Sequence, residues 1–565
     1  MGSPYLTGGM LVLMLSPMFS GLAQNLENIK NERPFSLNGQ VSANASYFHV
    51  AGKNSYRKPF SWIIQGNPTV SVYGVSIPFS FLITEQQRDF RQSLDRIGFT
   101  PSYRWIKLYL AFQNITWSEF SLGGHNILTA GVELTPKRFR IAALYGRLKK
   151  AIEPGSKSGF YVTPAFTRLA YCFKLGYGTD DNFFDILLLK GWDKENSLDS
   201  IPATYPLSPA ENVVLALITH QKFAKHFTFD LEIANSLYTA DTRISEPAGN
   251  YKGLKILAFM LNENASTRSD LAIKSSLEYA IEKFSVKFLF RRIEPGYRSM
   301  GAYYFQDDLM RFSLDPSVLV WQKKLRLYGS IGLQYDDLDN DKAVKTHRIA
   351  GMLGFSLKPN DKFSLDGSYS NYDVRQKEGT TPLDSLYEIS QISHNVQLTP
   401  VLMFMNARTS NIITITGTYA KLNDRNDVTA VFSDYNMESV FANYIFSLLK
   451  HAFSVMTGFT WTRNDVASFE MVYCGPTIGV NKSFLKNQLN TGVNYSWLAT
   501  VNNEVRSSTV HIVRVNASYK LLRQHQFKLS FSLQRKNSDL ASVPSFTETK
   551  LDLGYAYTFN IPKNK

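Results

Sequence analysis

Near the carboxyl end, residues 550–561 alternate apolar and polar side chains without a break, and that period of two sets what the chain can become. Leu551, Leu553, Tyr555, Tyr557, Phe559 and Ile561 fall on one face of an extended strand. Lys550, Asp552, Gly554, Ala556, Thr558 and Asn560 fall on the other. Successive side chains of a strand point to opposite sides, so the segment has one oily and one wet surface. A strand of about 10 residues, tilted, crosses a bilayer. The same pattern returns along the chain. Phe227, Phe229, Leu231 and Ile233 oppose Thr228, Asp230, Glu232 and Ala234. Leu327, Gly329, Ile331, Leu333 and Tyr335 oppose Arg326, Ser330, Gln334 and Asp336, with Tyr328 interrupting the polar side. Phe363, Leu365, Gly367 and Tyr369 oppose Ser364, Asp366, Ser368 and Ser370. Phe527, Leu529, Phe531 and Leu533 oppose Lys528, Ser530, Ser532 and Gln534. Charges of both signs on the wet side do not fit a dry sandwich core unless each is paired. A water-filled lumen accepts them.

Connections alternate in length. Short ones at residues 135–138, 222–226, 358–362, 448–451, 482–486 and 521–525 carry Pro, Asn, Asp and basic residues, the chemistry of tight turns. Long ones span roughly 84–96, 149–164, 192–212, 238–267, 294–310 and 374–393. Short turns at one rim and long loops at the other are the asymmetry of an outer-membrane barrel. Hydrocarbon offers backbone amides no water, so such a sheet must close. The expected fold is therefore all-β: a transmembrane antiparallel β-barrel of about 26 strands, within a range of 22 to 26, running over residues 37–561. A soluble propeller needs short strands in a blade period of about 40–50 residues, and none stands out.

Composition agrees with this class. The chain holds 39 Phe, 30 Tyr and 7 Trp, an aromatic excess that girdles at two membrane interfaces would use. The two cysteines, Cys172 and Cys474, exclude a disulfide framework and a cysteine-based zinc site. Whether they pair stays open. The net charge of +14 is spread along strands and turns rather than clustered, so nucleic acid is not an expected partner. Basic residues recur in the short turns: Lys137, Arg138, Lys222, Lys225, Lys283, Lys323, Lys324, Lys450 and Lys486. They suit anionic headgroups of an inner leaflet, or a docking partner.

Residues 10–19 are mostly apolar, and Gly21-Leu22-Ala23 places small residues where a signal peptidase reads them. Residues 1–23 are thus the expected export signal, although no Lys or Arg precedes the apolar run. Residues 24–36 are the expected periplasmic lead-in and 562–565 a tail, which leaves no room for a folded amino-terminal plug or a peptidoglycan-binding domain. The expected location is the outer membrane of a Gram-negative bacterium.

Two stretches, residues 99–148 (FTPSYRWIKLYLAFQNITWSEFSLGGHNILTAGVELTPKRFRIAALYGRL) and 291–309 (RRIEPGYRSMGAYYFQDDL), resemble large plug-less outer-membrane proteins of the Bacteroidota. Residues 359–372 (PNDKFSLDGSYSNY) resemble barrel hairpins of the same bacteria. The resemblance implies an outer-membrane barrel and transfers no activity to any residue. One departure is the NIPKNK run after Phe559, where many such barrels end on an aromatic residue.

Two clusters are candidate sites. Arg291, Arg292, Glu294, Tyr297, Arg298, Tyr303, Tyr304, Asp307 and Asp308 mix arginines, aromatics and acids as a strand runs into a loop. Arginines grip carboxylates and phosphates, and aromatics stack on flat groups, so this reads as a ligand- or partner-binding loop at the mouth, or as a loop folded onto the wall with internal ion pairs. Asp336, Asp337, Asp339 and Asp341 concentrate oxygen ligands for calcium, without the glycine and distant glutamate of an EF-hand. A solvated external turn is the reading preferred for them. No other cofactor is expected. The nine histidines form no HExxH, and no Gly-x-Ser-x-Gly elbow occurs. His511 and Thr509 share a strand face but lack an acid, so an enzyme is not expected. Two function classes follow: a passive pore or uptake component, or a non-conducting subunit of an envelope machine for secretion, assembly or surface display. An outer-membrane hydrolase is the minority alternative. Lipid is the expected partner, with other envelope proteins or a surface lipoprotein as candidates.

Overall fold

The computed structural model describes residues 34–561 apart from 86–95, 125, 158–159, 200–205, 250, 252–256, 303–305, 385, 387, 468, 523 and 542. The expected signal and the tail lie outside the described residues. The chain folds into a closed antiparallel β-barrel of 26 strands. They are β1 Ser36–Ala51, β2 Phe60–Gly66 continued by Thr69–Val72, β3 Val75–Thr84, β4 Arg96–Phe99 continued by Ser102–Tyr103, β5 Ile106–Asn114, β6 Asn126–Leu134, β7 Phe139–Lys149, β8 Thr167–Gly178 and β9 Asn182–Lys194. Next come β10 Glu211–Phe223, β11 Phe227–Thr239, β12 Thr267–Ile281, β13 Phe284–Ile293, β14 Leu309–Val320, β15 Leu325–Tyr335, β16 Val344–Asn360, β17 Phe363–Glu378 and β18 Ser390–Met405. The wall finishes with β19 Thr409–Asp424, β20 Tyr435–Leu448, β21 Phe453–Val466, β22 Phe469–Phe484, β23 Leu489–Asn502, β24 Val505–Leu521, β25 His525–Ser538 and β26 Phe546–Ile561. Breaks in β2 and β4 fall at Pro68 and Pro101, which cannot donate to the ladder.

Each strand pairs with its sequence neighbours, and β1 pairs with β26 from Leu37↔Ile561 to Ala51↔Thr547. That seam removes the sheet's two free edges, whose unpaired amides hydrocarbon would not tolerate. Register assigns every side chain a face, because directly opposed residues of an antiparallel pair share one. The segment that ends the barrel behaves as its alternation demands. Leu553 and Tyr555 lie on the outer face, exposed, while Asp552 faces in and accepts a hydrogen bond from Ser46 Oγ at 2.7 Å. The outer belt is oily all round, with Leu175, Ile186, Ile331, Leu353 and Ile478 each more than half exposed. Only lipid makes such a surface stable.

The two rims differ. Turns such as 135–138, 224–226, 321–324 and 485–488 are tight and hold the positive backbone angles of Lys137, Lys225, Lys323 and Lys486. The basic residues named above gather at this rim. The opposite rim carries the long connections, the longest of them over the first half of the wall. There β5 to β11 run 9 to 13 residues. Strands β16 to β26 run 14 to 17 and join at that rim through links that range from residues 379–389 and 425–434, the latter with a helix at Asp427–Ser433, to the tight turns at 467–468 and 503–504. Part of the expected loop at 374–393 is strand: β17 continues to Glu378 and β18 starts at Ser390.

The lipid-facing reading has a direct test. Leu353→Arg puts a charge on the outer face near mid-strand. It should destabilise the barrel by about 2–4 kcal/mol in denaturant unfolding from phospholipid vesicles. Ser370→Arg, on the inner face one strand away, should stay within about 0.5 kcal/mol of the parent.

Candidate functional site

A barrel this wide is not filled by its own wall side chains. Over β5 to β13 the filling comes from two inward-folded loops. The inner faces of β7 to β12 are themselves apolar and small: Ala142, Leu144, Ala170, Cys172, Leu187, Leu189, Val214, Ala216, Ala234 and Ala272 are buried. The water-filled lumen expected from the alternation is thus confined to the rest of the wall. At mid-height strands β8 and β9 are oily on both faces, because lipid lies outside and a packed core inside, while nearer the rims their inner faces carry the ion-paired Arg168, Lys174, Asp185 and Asp193. Against this wall sit Ile115, Phe120 and Leu122 of the 115–125 loop and Tyr297 and Met300 of the 294–308 loop. Each such side chain contributes about 1.5–3 kcal/mol when removed from water.

The loops join to each other as well as to the wall. Gly123 N–H donates to Gly301 O at 2.9 Å, Tyr297 Oη to Phe120 O at 3.1 Å and Ser299 Oγ to Ser121 O at 2.8 Å. Phe120 and Tyr297 meet edge to face at 6.1 Å. Their approach depends on glycine. A Cβ on Gly301 would lie 2.3 Å from Ser121 O, and one on Gly191 would lie 2.9 Å from the Cβ of Met300.

An ionic row anchors the assembly. Glu232 on β11 faces Lys274 on β12, which faces Arg291 on β13. Glu119, at the tip of the first loop, accepts from Lys274 Nζ at 2.5 Å and Arg291 Nη1 at 2.6 Å. Burial alone would raise the Glu119 carboxyl, but the Lys274 hydrogen bond and the neighbouring Arg291 charge outweigh it and hold the group below the usual carboxylate range. Glu232 in turn accepts from Ser118 Oγ at 2.5 Å and Phe120 N–H at 3.0 Å. Wall acid and wall cations thus grip opposite kinds of loop group side by side.

The first candidate cluster divides between these places. Arg291 faces in and joins the row, and its guanidinium lies 5.3 Å from the Phe120 ring. Arg292, one residue on, points outward opposite Ile273 and Met310, so the structure separates it from the rest. Glu294 accepts the Leu271 N–H, Arg298 lies over the Tyr238 ring and Asp307 accepts the Gly296 N–H. Tyr303 and Tyr304 lie outside the described residues. Asp308 belongs with the second cluster. It accepts from Asp337 N–H at 3.0 Å and Leu338 N–H at 2.9 Å and pairs with Lys342. Asp337 accepts from the Asp341 and Lys342 amides, and Asp336 from Thr346. Asp339 adds negative charge near Arg268. No group of three or more metal-ligating side chains converges among the described residues.

Glu119, Glu232 and Lys274 were not singled out from sequence. A signal for them exists: Ile115, Trp117, Phe120 and Leu122 stand in a connection, where a loop in water would not carry four large apolar residues. Both cysteines are free, Cys172 within the luminal core and Cys474 on the outer face of β22. His511 also faces outward, where Tyr495 Oη lies 2.9 Å from its Nδ1.

Beyond β13 the inner wall is bare. Asp366, Asn395, Gln397, Asn481, Arg514, Asn516 and Lys528 are exposed on the inner face. Arg311, Arg326, Arg348, Arg514, Lys520, Lys528 and Lys536 face in without an ion-pair partner within 4 Å among the described residues, against Asp315, Asp366, Glu378 and Asp424. Six consecutive strands, β18 to β23, present no charge to the lumen except Asp424 at the rim. Their inner residues are largely Ser, Thr, Asn and Gln, many in cross-strand pairs such as Thr477–Ser496 at 2.8 Å.

No protein-family model matches the chain, and no curated protein matches it in sequence. Solved structures similar to it include OccAB2 of Acinetobacter baumannii, at 10% identity and TM-score 0.32 over 62% of this chain and 92% of that one. OpdK of Pseudomonas aeruginosa with vanillate is similar at 9% identity and TM-score 0.32, over 62% and 93%. The translocation pore of the P pilus usher PapC is similar at 10% identity and TM-score 0.37, over 93% and 99%. At such values the function must be argued from the lumen itself.

Two expectations follow from the luminal geometry. Gly301→Val should part the two loops, so that protease cuts within residues 115–123 of the detergent-solubilised protein while the barrel keeps its anomalous mobility in unheated gels. The Asp308 carboxyl is pushed up by burial but held lower overall by the Leu338 and Asp337 amides and by Lys342. A depressed folded value means the stabilisation is full above the ordinary carboxylate range and is lost as pH falls through the depressed value. Protection of the Asp337 and Leu338 amides, corrected for intrinsic exchange, should therefore drop as pH is lowered below about 4. Asp308→Asn should show low protection at every pH.

Proposed function

We propose that this chain is a passive pore of a Gram-negative outer membrane, with the tight turns in the periplasm and the long connections outside. The carrying observation is the split lumen: one side packed by its own loops, the other lined by polar side chains that no part of the described chain covers. A purely structural barrel gains nothing from leaving that arc wet. The fixed filling on β5 to β13 narrows the route without closing it, and charge on the bare side sets preference. Unpaired cations outnumber anions there, so the pore favours anions. Ion pairing across β5 to β13, as in Lys174–Glu133 and Arg140–Asp185, leaves that side nearly silent in the field.

The basic turn rim supports lipid as the standing partner. Lys137, Lys225, Lys323 and Lys486 sit where anionic headgroups of the inner leaflet would lie. The same rim also fits a second reading, in which an acidic envelope protein docks there and the barrel serves as a subunit of a larger machine.

Planar-bilayer recording separates these readings. Purified protein should conduct, with a reversal potential of anion-preferring sign across a KCl gradient that shrinks as ionic strength rises. Replacing both Arg514 and Lys528 with Glu should carry the preference toward cations. A stably inserted barrel that never conducts would remove the pore reading and leave the subunit reading.

A further inference from the structure

The uncharged arc of β18 to β23 contains one feature that a plain water-filled channel does not need. Phe441 on β20 faces the lumen and is 43% exposed. Large apolar side chains left open to water mark contact sites. Its neighbours in register are Thr416 on β19 and Thr460 on β21, so a hydroxyl flanks the ring on each side. Thr399 Oγ1 extends the row by donating to Thr416 Oγ1 at 3.3 Å. Two residues along the strand, Asn443 lies on the same face; its Oδ1 is buried against the wall with no hydrogen-bond partner among the described residues, so the carboxamide has an unspent acceptor that a turn of the side chain would offer to the lumen. Tyr372 on β17, 45% exposed, presents a second inward ring nearer the loop rim.

A different recess lies at the turn end of the same side, with a volume of about 700 Å³. Four carboxamides line it: Asn44, Asn481, Asn490 and Asn516, with Lys528 and Asp552 among its other walls. Ser483 Oγ donates to Asn490 Oδ1 at 2.6 Å and Ser530 Oγ to Asn516 Oδ1 at 2.8 Å, which fixes the amides in place.

We infer that the arc centred on Phe441, Thr416, Thr460 and Asn443 is a binding site for uncharged polyhydroxylated solutes, oligosaccharides above all. The chemistry is complementary. An apolar ring face takes the C–H side of a sugar, as aromatic rings take other flat apolar surfaces. Hydroxyls and carboxamides both donate and accept, and so match a sugar's own hydroxyl groups. Six strands whose inward charge is confined to Asp424 at the rim, between the inward acids Asp366 and Glu378 of β17 and the inward cations Arg514 and Lys520 of β24, present almost no partner for a carboxylate or an ammonium. The recess lined by asparagines offers further carboxamides toward the turn rim, beside the charges of Lys528 and Asp552. This inference rests on the pore reading for transport, but the binding itself does not.

The test uses the full-length barrel in two assays. In proteoliposome swelling, maltotriose should enter faster than a trisaccharide of equal size carrying carboxylates, each rate taken per unit of ion conductance. Phe441→Ala should cut that ratio about fivefold, and Phe441→Tyr should keep it. Equal rates for the two sugars, or a ratio unmoved by Phe441→Ala, overturn the inference. Should no solute and no ion pass, the pore reading fails, and the second assay decides. Phe441→Trp in detergent should show saturable fluorescence change with maltohexaose and none with the polycarboxylated sugar. A change upholds the site without transport, and its absence sinks it.

Discussion

Every level of this molecule depends on the requirement that backbone amides in hydrocarbon find partners within the protein. It forces the sheet to close, and the ladder between β1 and β26 meets that demand at the last place the chain can. Closure fixes the register, and register fixes which residue of each adjacent pair meets lipid. The oily exterior and the wet interior are consequences of that single accounting. So is the position of the prolines. Pro316, Pro400 and Pro476 each keep pairing on one side and coincide with a gap in the ladder on the other, all on the outer face.

The interior then solves a second problem. A cylinder of this girth has more inner surface than its own side chains fill, and the chain treats its two halves differently. Over β7 to β12 the wall has been made small and apolar, with alanine at five inward positions, so that two loops bed into it. An apolar patch on a lumen wall would be a liability alone. Covered by Phe120, Leu122, Tyr297 and Met300, it becomes a buried hydrophobic core. The charged row of Glu232, Lys274 and Arg291 gives the loops a fixed seat, since Glu119 has two cations to satisfy it and the Ser118–Phe120 backbone turn has an acid. The loop filling is built as structure rather than as a swinging gate.

Alternation made the architecture legible where one face met water. Residues 550–561, 227–234, 363–370 and 527–534 all keep the faces that their period of two assigns, and the strand number follows from them. Legibility failed where both faces were buried in oil. In β8 and β9, Phe173, Leu175 and Ile186 meet lipid while Cys172, Leu187 and Leu189 meet the luminal core, so no alternation marks the inner side. Parity was readable in principle at Arg291 and Arg292, since neighbours in a strand cannot share a face. Grouping them by proximity in sequence hid the fact that only Arg291 reaches the lumen. Asp308 shows the converse. It stands 28 or more residues from the aspartates it supports, and only the pairing of β14 with β15 brings the two clusters together.

The uneven rim gives the molecule a front. Tall connections crowd above the loop-filled side, whereas β21 to β22 and β23 to β24 turn back almost at once, at residues 467–468 and 503–504. On that low side the long strands themselves form a smooth parapet, with Glu438, Arg463 and Glu470 on its outer surface. That low rim opens directly onto the uncharged wall, whereas the inward-folded loops stand opposite. The mouth is thereby lopsided: turning the barrel about its own axis changes what it presents to its neighbours in a crowded membrane.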